Sequence, residues 1–179
     1  MNAMIDANSS DDATTPEADF GTRDYRASDA EEVRQVFRAA VLETGLAAYT
    51  PEQVQAWAAR ADDAAAFAAQ RDAGWVRVAF DDDGIIGFGQ IDMPGHVAML
   101  FTHPRASRRG VARALLDDLV MLAEAMGARS VTVDASRVAR PFFARHGFGE
   151  ISSEVVTLGD QALERFRMEA TIGSPARKK

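Results

Sequence analysis

The sequence predicts an α/β domain, a mixed sheet with helices on its faces. Three observations carry that prediction. Apolar residues recur at helical spacing up to residue 70 and at strand spacing from residue 75. Segments 75–80 and 85–92 flank the turn Asp81-Asp82-Asp83-Gly84, the pattern of a β-hairpin. Strand 97–102, helix 110–126 and strand 130–133 read as a βαβ crossover, which should be right-handed.

Each element has a local reason. Residues 21–26 read as a first short strand. Ser28-Asp29-Ala30-Glu31 has the form of a capping box, with Ser28 as N-cap and Glu31 three residues on. The helix it opens carries Val33, Val36, Phe37, Ala40 and Val41 on one side and ends near Gly45. Thr50-Pro51-Glu52-Gln53 starts a second helix with proline at its first position, and Val54, Trp57 and Ala58 form its apolar side. The alanine-rich stretch 62–70 is a third helical piece. After the hairpin, Met93-Pro94-Gly95 breaks the chain, and 97–102 reads as a buried strand. Helix 110–126 sets Val111, Leu115, Leu119 and Leu122 on one face and stops at Gly127. Residues 136–146 read as a helix closed by Gly147, followed by strands 148–158 and 165–170. Trp57 and Trp75 are assigned to the core.

Composition narrows the function. The 179 residues fit a single domain, 20–170, and 47% of them are apolar, enough for a core. There is no cysteine, so disulfides, thiol catalysis and cysteine-held metals are excluded. His96, His103 and His146 are too scattered to suggest a metal site. A net charge of -7 argues against nucleic acid. Residues 1–19 hold acids and no Lys or Arg, so they read as a disordered acidic leader; 171–179 reads as a frayed tail. No signal-peptide or membrane-spanning pattern occurs, and a cytoplasmic location is expected. An exposed pairing strand leaves a homodimer open.

The most informative segment runs from Phe101 through Thr102-His103-Pro104-Arg105-Ala106-Ser107-Arg108-Arg109-Gly110 into Val111-Ala112-Arg113. A strand enters a basic turn, and the turn enters a helix. The first N–H groups of a helix lack intrahelical partners, and its dipole is positive at that end. Such a junction suits a phosphate or pyrophosphate. Arg108 and Arg109 fit that role, or a solvated basic turn.

The chain resembles the GNAT superfamily of N-acetyltransferases, specifically its small single-domain bacterial members. Met99-Leu100-Phe101-Thr102-His103-Pro104 and the following turn are similar to the acetyl-CoA motif, with Gly110 and Ala112 matching its last two positions and Ser107 departing from the usual Gln or Arg. Ala135-Ser136 and Ala139 to Phe148 resemble the helix that ends in aromatic-x-x-x-Gly-Phe. Phe166-Arg167-Met168-Glu169 looks like the closing strand, and Thr50-Pro51-Glu52-Gln53 with Trp57 is similar to the same members. The likeness spans roughly residues 22 to 170.

The resemblance implies a mostly antiparallel central sheet of six to seven strands flanked by about five helices. It implies acetyl-CoA as co-substrate, with no metal. Backbone N–H groups of Arg108, Arg109, Gly110, Val111, Ala112 and Arg113 would hold its pyrophosphate. Strand 97–102 would splay from strand 130–133 and meet the pantetheine arm through Leu100, Phe101 and Thr102. Ser136, Arg140 and Phe143 would lie along the other side, with one of Phe142 and Phe143 lining the thioester. The acceptor, a small-molecule or peptide amine, would approach over residues 28–70, where Glu43, Glu52, Asp62 and Asp63 favour a cation.

Acetyl transfer needs a neutral amine, and neutralising a lysine-like amine (reference pKa ~10.4) at pH 7 costs roughly 4–5 kcal/mol. Asp92 is the first candidate base because it ends the strand beside the cofactor strand; His96 and Glu43 follow. Asp92 also reads as a turn residue. The family often places a tyrosine to protonate the departing thiolate. Phe143 stands there and cannot donate a proton, leaving Ser136 or water. The alternative function is a non-catalytic acyl-CoA-binding module. A nucleotide enzyme is disfavoured, since the turn has neither Gly-Lys-Ser/Thr nor G-x-G-x-x-G.

Overall fold

The computed structural model describes residues 3–4 and 19–173. The rest of the acidic leader and of the basic tail lies outside the described residues. The strands are β1 (Ala3–Met4), β2 (Gly21–Asp24), β3 (Trp75–Asp81), β4 (Gly84–Asp92), β5 (His96–Thr102), β6 (Ser130–Ser136), β7 (Gly149–Leu158) and β8 (Gln161–Thr171). The helices are α1 (Ala30–Ala39), α2 (Pro51–Ala58), α3 (Ala64–Ala69), α4 (Val111–Ala125) and α5 (Arg140–Arg145), joined by short 3-10 and π turns. The sheet order is β2-β3-β4-β5-β1-β6-β8-β7. Seven strands and the dipeptide β1 thus form one mixed sheet. Among the described residues, only the pairings among β1, β5 and β6 are parallel.

Strand alternation gives the sheet two apolar faces. Ile86, Leu100, Val131, Val133 and Ala135 pack with α4 and α5. Val78, Phe88, Met99 and Phe101 pack with α1, α2 and α3. On that second face Phe101 meets Phe37 edge-on at 4.8 Å and stacks on Phe88 at 5.5 Å. Gly87 and Gly89 let α4 approach closely: a Cβ on either would come within 3 Å of Val111 or Leu119. These two glycines therefore set how near the start of α4 lies to the sheet.

Thr50 caps α2 as expected: its Oγ1 accepts from Gln53 N, and Gln53 Oε1 accepts from Thr50 N at 3.0 Å. The Ser28/Glu31 box does not form. The chain enters α1 through a 3-10 turn, and Asp29 is its anchor, accepting from Arg26 N at 2.8 Å and from Arg23 Nη1 at 2.6 Å. The Arg23 guanidinium fixes the Asp29 carboxylate, and Glu31 bonds Arg34 instead. Trp57 is fully buried, but Trp75 opens β3 with 57% of its surface exposed and is not a core residue. Strand β6 runs on to Ser136, because β8 pairs with it as far as Ser136↔Arg165. Ser136 therefore ends a strand rather than starting a helix, and α5 begins only at Arg140.

Candidate active site

Strands β5 and β6 pair directly at His96↔Thr132 and Val97↔Val133. Beyond those positions they diverge. The gap is filled by one extended dipeptide: Ala3 pairs with Leu100 and Ala135, and Met4 with Phe101. The V between β5 and β6 therefore has the width of a single extended, amide-bearing chain. Side chains of Leu100 and Phe101 are buried in opposite cores, and Thr102 is nearly buried at the strand end. What Leu100, Phe101 and Thr102 offer to the gap is backbone.

The open end of the V leads to the basic turn. Arg108 (φ 64°) and Gly110 (φ 79°) are both left-handed, and no side chain caps α4. A helix of 15 residues thus starts with its first N–H groups uncapped. The space beside Gly110 is open. The loop is held from behind by Asp81, which takes two bonds from Arg105 at 2.9 and 3.0 Å and one from Arg109 at 2.9 Å. Arg105 first, then Arg109, hold the Asp81 carboxyl down at about 2. Arg109 also reaches Asp19 at 3.0 Å, so its side chain is tied into the loop, and its N–H donates to Ala106 O at 3.3 Å. Arg108 is exposed. Arg113 lies 3.7 Å from Asp117 on the same helix. Val111 and Ala112 bury their side chains under the helix start. Further along α4, between it and the end of β8, lies a cavity of about 360 Å³ bordered by Arg113, Asp117, Arg145 and His146.

On the opposite side of the sheet, His96 and Asp92 face each other across β4 and β5. His96 Nδ1 is 3.0 Å from Thr132 Oγ1, and its Nε2 lies 3.9 Å from Asp134. Burial lowers the His96 pKa, partly offset by Asp134, so the imidazole is neutral at pH 7. Asp134 is buried and is neutralised by Arg167 at 2.8 Å and Arg165 at 3.4 Å. Asp92 accepts from Gln90 Nε2 at 3.0 Å. The direct β5–β6 pairing closes the V at this level, so the half-buried His96 sits next to its apex.

Three expected positions are occupied otherwise. Ser136 is fully buried, and its Oγ accepts from Ala139 N at 3.1 Å, closing the turn into α5. Phe142 and Phe143 are both buried in the α4-side core, where Phe143 meets Phe148 edge-on at 5.1 Å, so neither ring lines an open surface. Arg140 bonds Glu150 at 2.7 Å and lies over the Phe166 ring, directed to the β7–β8 hairpin. Residues overlooked in the sequence include Tyr49, Thr132 and Asp134. Tyr49 Oη accepts from Arg137 N at 2.8 Å and donates to Glu164 O at 3.2 Å, strapping the segment between α1 and α2 to the end of β6 and to β8. The alternation Thr132, Asp134, Ser136 with apolar Val131, Val133, Ala135 marked a strand with one polar face.

A family model described as an acetyltransferase (GNAT) domain matches residues 45–169. The chain belongs to the GNAT acetyltransferase family. An uncharacterized N-acetyltransferase of Escherichia coli, YafP, is 34% identical over 135 residues, covering 75% of this chain and 84% of that protein. A GCN5-related N-acetyltransferase from Rhodopseudomonas palustris superposes with TM-score 0.83 at 34% identity, over 85% of this chain and 95% of the other. PaiA N-acetyltransferase from Thermoplasma acidophilum, solved with coenzyme A, shares the fold at TM-score 0.69 and 19% identity, over 85% and 98% of the two chains. This GNAT domain is thus an acyltransferase. None of its described helices is long and apolar enough to cross a membrane.

Proposed function

We propose that this GNAT domain moves an acetyl group from acetyl-CoA to a primary amine by direct attack. The observation that carries the proposal is the V between β5 and β6, one extended chain wide, opening onto an uncapped helix N-terminus. Pantetheine is an extended, amide-bearing chain that ends in a pyrophosphate, so the two features fit one ligand. Backbone groups of Leu100 and Phe101 would pair with the arm. The N–H groups of Arg108 and of Gly110 to Arg113 would hold the pyrophosphate, the Arg109 N–H being held by Ala106 O. Acetyl-CoA supplies the activated acetyl thioester. Its entry requires Ala3–Met4 to leave the V.

His96 serves as the base, ahead of Asp92. Its neutral imidazole can take a proton from the incoming ammonium, while Thr132 fixes the ring and Asp134 steadies the resulting charge. The acceptor nitrogen then attacks the thioester carbon. A C–N bond forms, the C–S bond breaks with its electron pair going to sulfur, and a proton from nitrogen ends on the thiolate. At pH 7 protonation of a thiolate of reference pKa ~8.5 is downhill by about 2 kcal/mol, and water can deliver that proton without a tyrosine at residue 143.

A thiol-release assay with acetyl-CoA and a panel of peptides, polyamines, amino acids and aminoglycosides tests this. Amine-dependent release is expected. Tight acetyl-CoA binding by calorimetry with no release from any amine would instead support a non-catalytic acyl-CoA-binding module.

A further inference from the structure

The acceptor-side face contains a buried cation that no carboxylate contacts directly, Asp92 and Tyr25 acting on it only at a distance. Arg71 is 3% exposed, and its Nε and Nη1 have no hydrogen-bond partner. The bond that its guanidinium does make, Nη2 to Oε1 of the exposed Gln70, is long at 3.4 Å. The group lies over two rings, 4.5 Å from Phe67 and 5.6 Å from Phe88. Burial pulls its pKa down to about 10, which still leaves it charged at pH 7. A buried charge lacking its partner costs several kcal/mol, roughly, and is seldom kept for stability.

A second orphan lies beside it. Gln90 is 3% exposed and its Oε1 has no partner, while its Nε2 is fixed by Gln70 O and Asp92 Oδ1 at 3.0 Å each. Phe88 and Gln90 are two residues apart on one face of β4, about 7 Å along the strand. Arg71 therefore presents two free donors, and Gln90 one free acceptor, within the span of a small zwitterion. Gln90 pairs with Met99 of β5, one strand from the V.

Two of the four acids expected to attract a cation have other work: Asp62 pairs with Arg38, and Asp63 caps α3 through Ala66 N. Glu43 lies in the π turn after α1, and Glu52 stands in the first turn of α2. Arg71 is a buried charge on this face without a direct partner, whereas buried Asp134 is paired with Arg165 and Arg167; burial and Arg165 together also lower the pKa of nearby Arg60.

We propose that the acceptor is a primary amine that also bears a carboxylate, as in an amino acid, with Arg71 binding the carboxylate and Gln90 Oε1 accepting from the amine. The inference rests on the N-acetyltransferase reading above. An entering carboxylate replaces the long Gln70 bond and gives the guanidinium the forked partner it lacks.

The test uses matched pairs, α-, β- and γ-amino acids against their primary amides, titrated calorimetrically into the full chain with and without CoA. At least one acid should bind, with its amide about ten- to hundredfold weaker. Arg71→Met should erase that difference, retain CoA binding and lose no thermal stability in the absence of acceptor. Acids and amides that bind alike, or no acid binding at all, would overturn the inference, as would an Arg71→Met chain that melts markedly lower. Should that variant not fold, the acid–amide comparison on the wild-type chain still decides. Failure of CoA itself to bind would overturn the cofactor reading and not this one.

Discussion

The two faces of the sheet handle polarity in opposite ways. On the α4 side the carboxylate behind the loop, Asp81, is satisfied by Arg105 and Arg109, and what remains free is backbone N–H at the helix start. On the α1–α3 side the backbone is consumed by strands and helices, and what remains free is side chain: Arg71, Gln90 and the indole of Trp57. Recognition by backbone depends on chain path and so is shared by any sequence that follows it. Recognition by side chains is particular to this sequence. On the function proposed above, the cofactor half is thus generic, and the acceptor half is where specificity would lie.

The largest expected effect falls on the particular half. His96→Gln should lower kcat by about 10²–10⁴ while leaving the KM for acetyl-CoA nearly unchanged. Because burial depresses the His96 pKa, the wild-type acid limb of kcat/KM should lie below the ordinary histidine value of ~6.5 and vanish in the variant. The same depression means that neutral His96 contributes stability above ~6.5, lost as pH falls through the lower folded-state value. A His96→Gln enzyme with unchanged kcat would return the base to Asp92.

Phe143→Tyr comes next, and it tests whether the two halves meet at residue 143. The ring is fully buried against Phe142 and Phe148, so a hydroxyl there lacks a partner and costs about 1–3 kcal/mol. The melting temperature should drop and kcat should not rise. A rise in kcat would show that the position faces the departing thiolate after all.

This contrast also explains what was legible in the sequence. The turn 107–110, the Thr50 cap and the β-hairpin were readable because each is a local chemical pattern. The Ser28 box failed because Arg23, on a different element, captured Asp29 and moved the helix start. Ser136 was misplaced because its strand is extended by β8, some thirty residues away in the chain. Arg71 and Gln90 gave no sequence signal: each is ordinary in its local setting, and only the fold buries them without partners.

A smaller effect is expected on the generic half. Asp81→Asn should raise the KM for acetyl-CoA severalfold with kcat preserved, since the turn loses the anion that holds Arg105 and Arg109 in place. Arg105, first, depresses the Asp81 carboxyl to about 2. Its contribution is therefore complete above the unfolded value of ~3.9 and is lost only as pH falls through about 2. The ratio of wild-type to variant KM should accordingly stay flat across pH 5–9; a ratio that varies in that range would mean that Asp81 is not what holds the turn.

The smallest effect concerns a place where this chain covers its own generic half. Ala3–Met4 pairs with Leu100, Phe101 and Ala135, the same backbone that the pantetheine arm is proposed to use. Two occupants of one slot compete, so the apparent affinity for acetyl-CoA is the intrinsic affinity scaled by the fraction of chains with the slot free. A chain lacking residues 1–18 keeps Asp19 and its bond to Arg109, and should bind acetyl-CoA a fewfold more tightly with unchanged kcat. The gain is small because a dipeptide contributes few ladder bonds, each worth about 1 kcal/mol net. Weaker binding by the shortened chain would show instead that the segment completes the site, and the backbone-only account of the cofactor half would then need a side-chain contribution from residues ahead of Asp19.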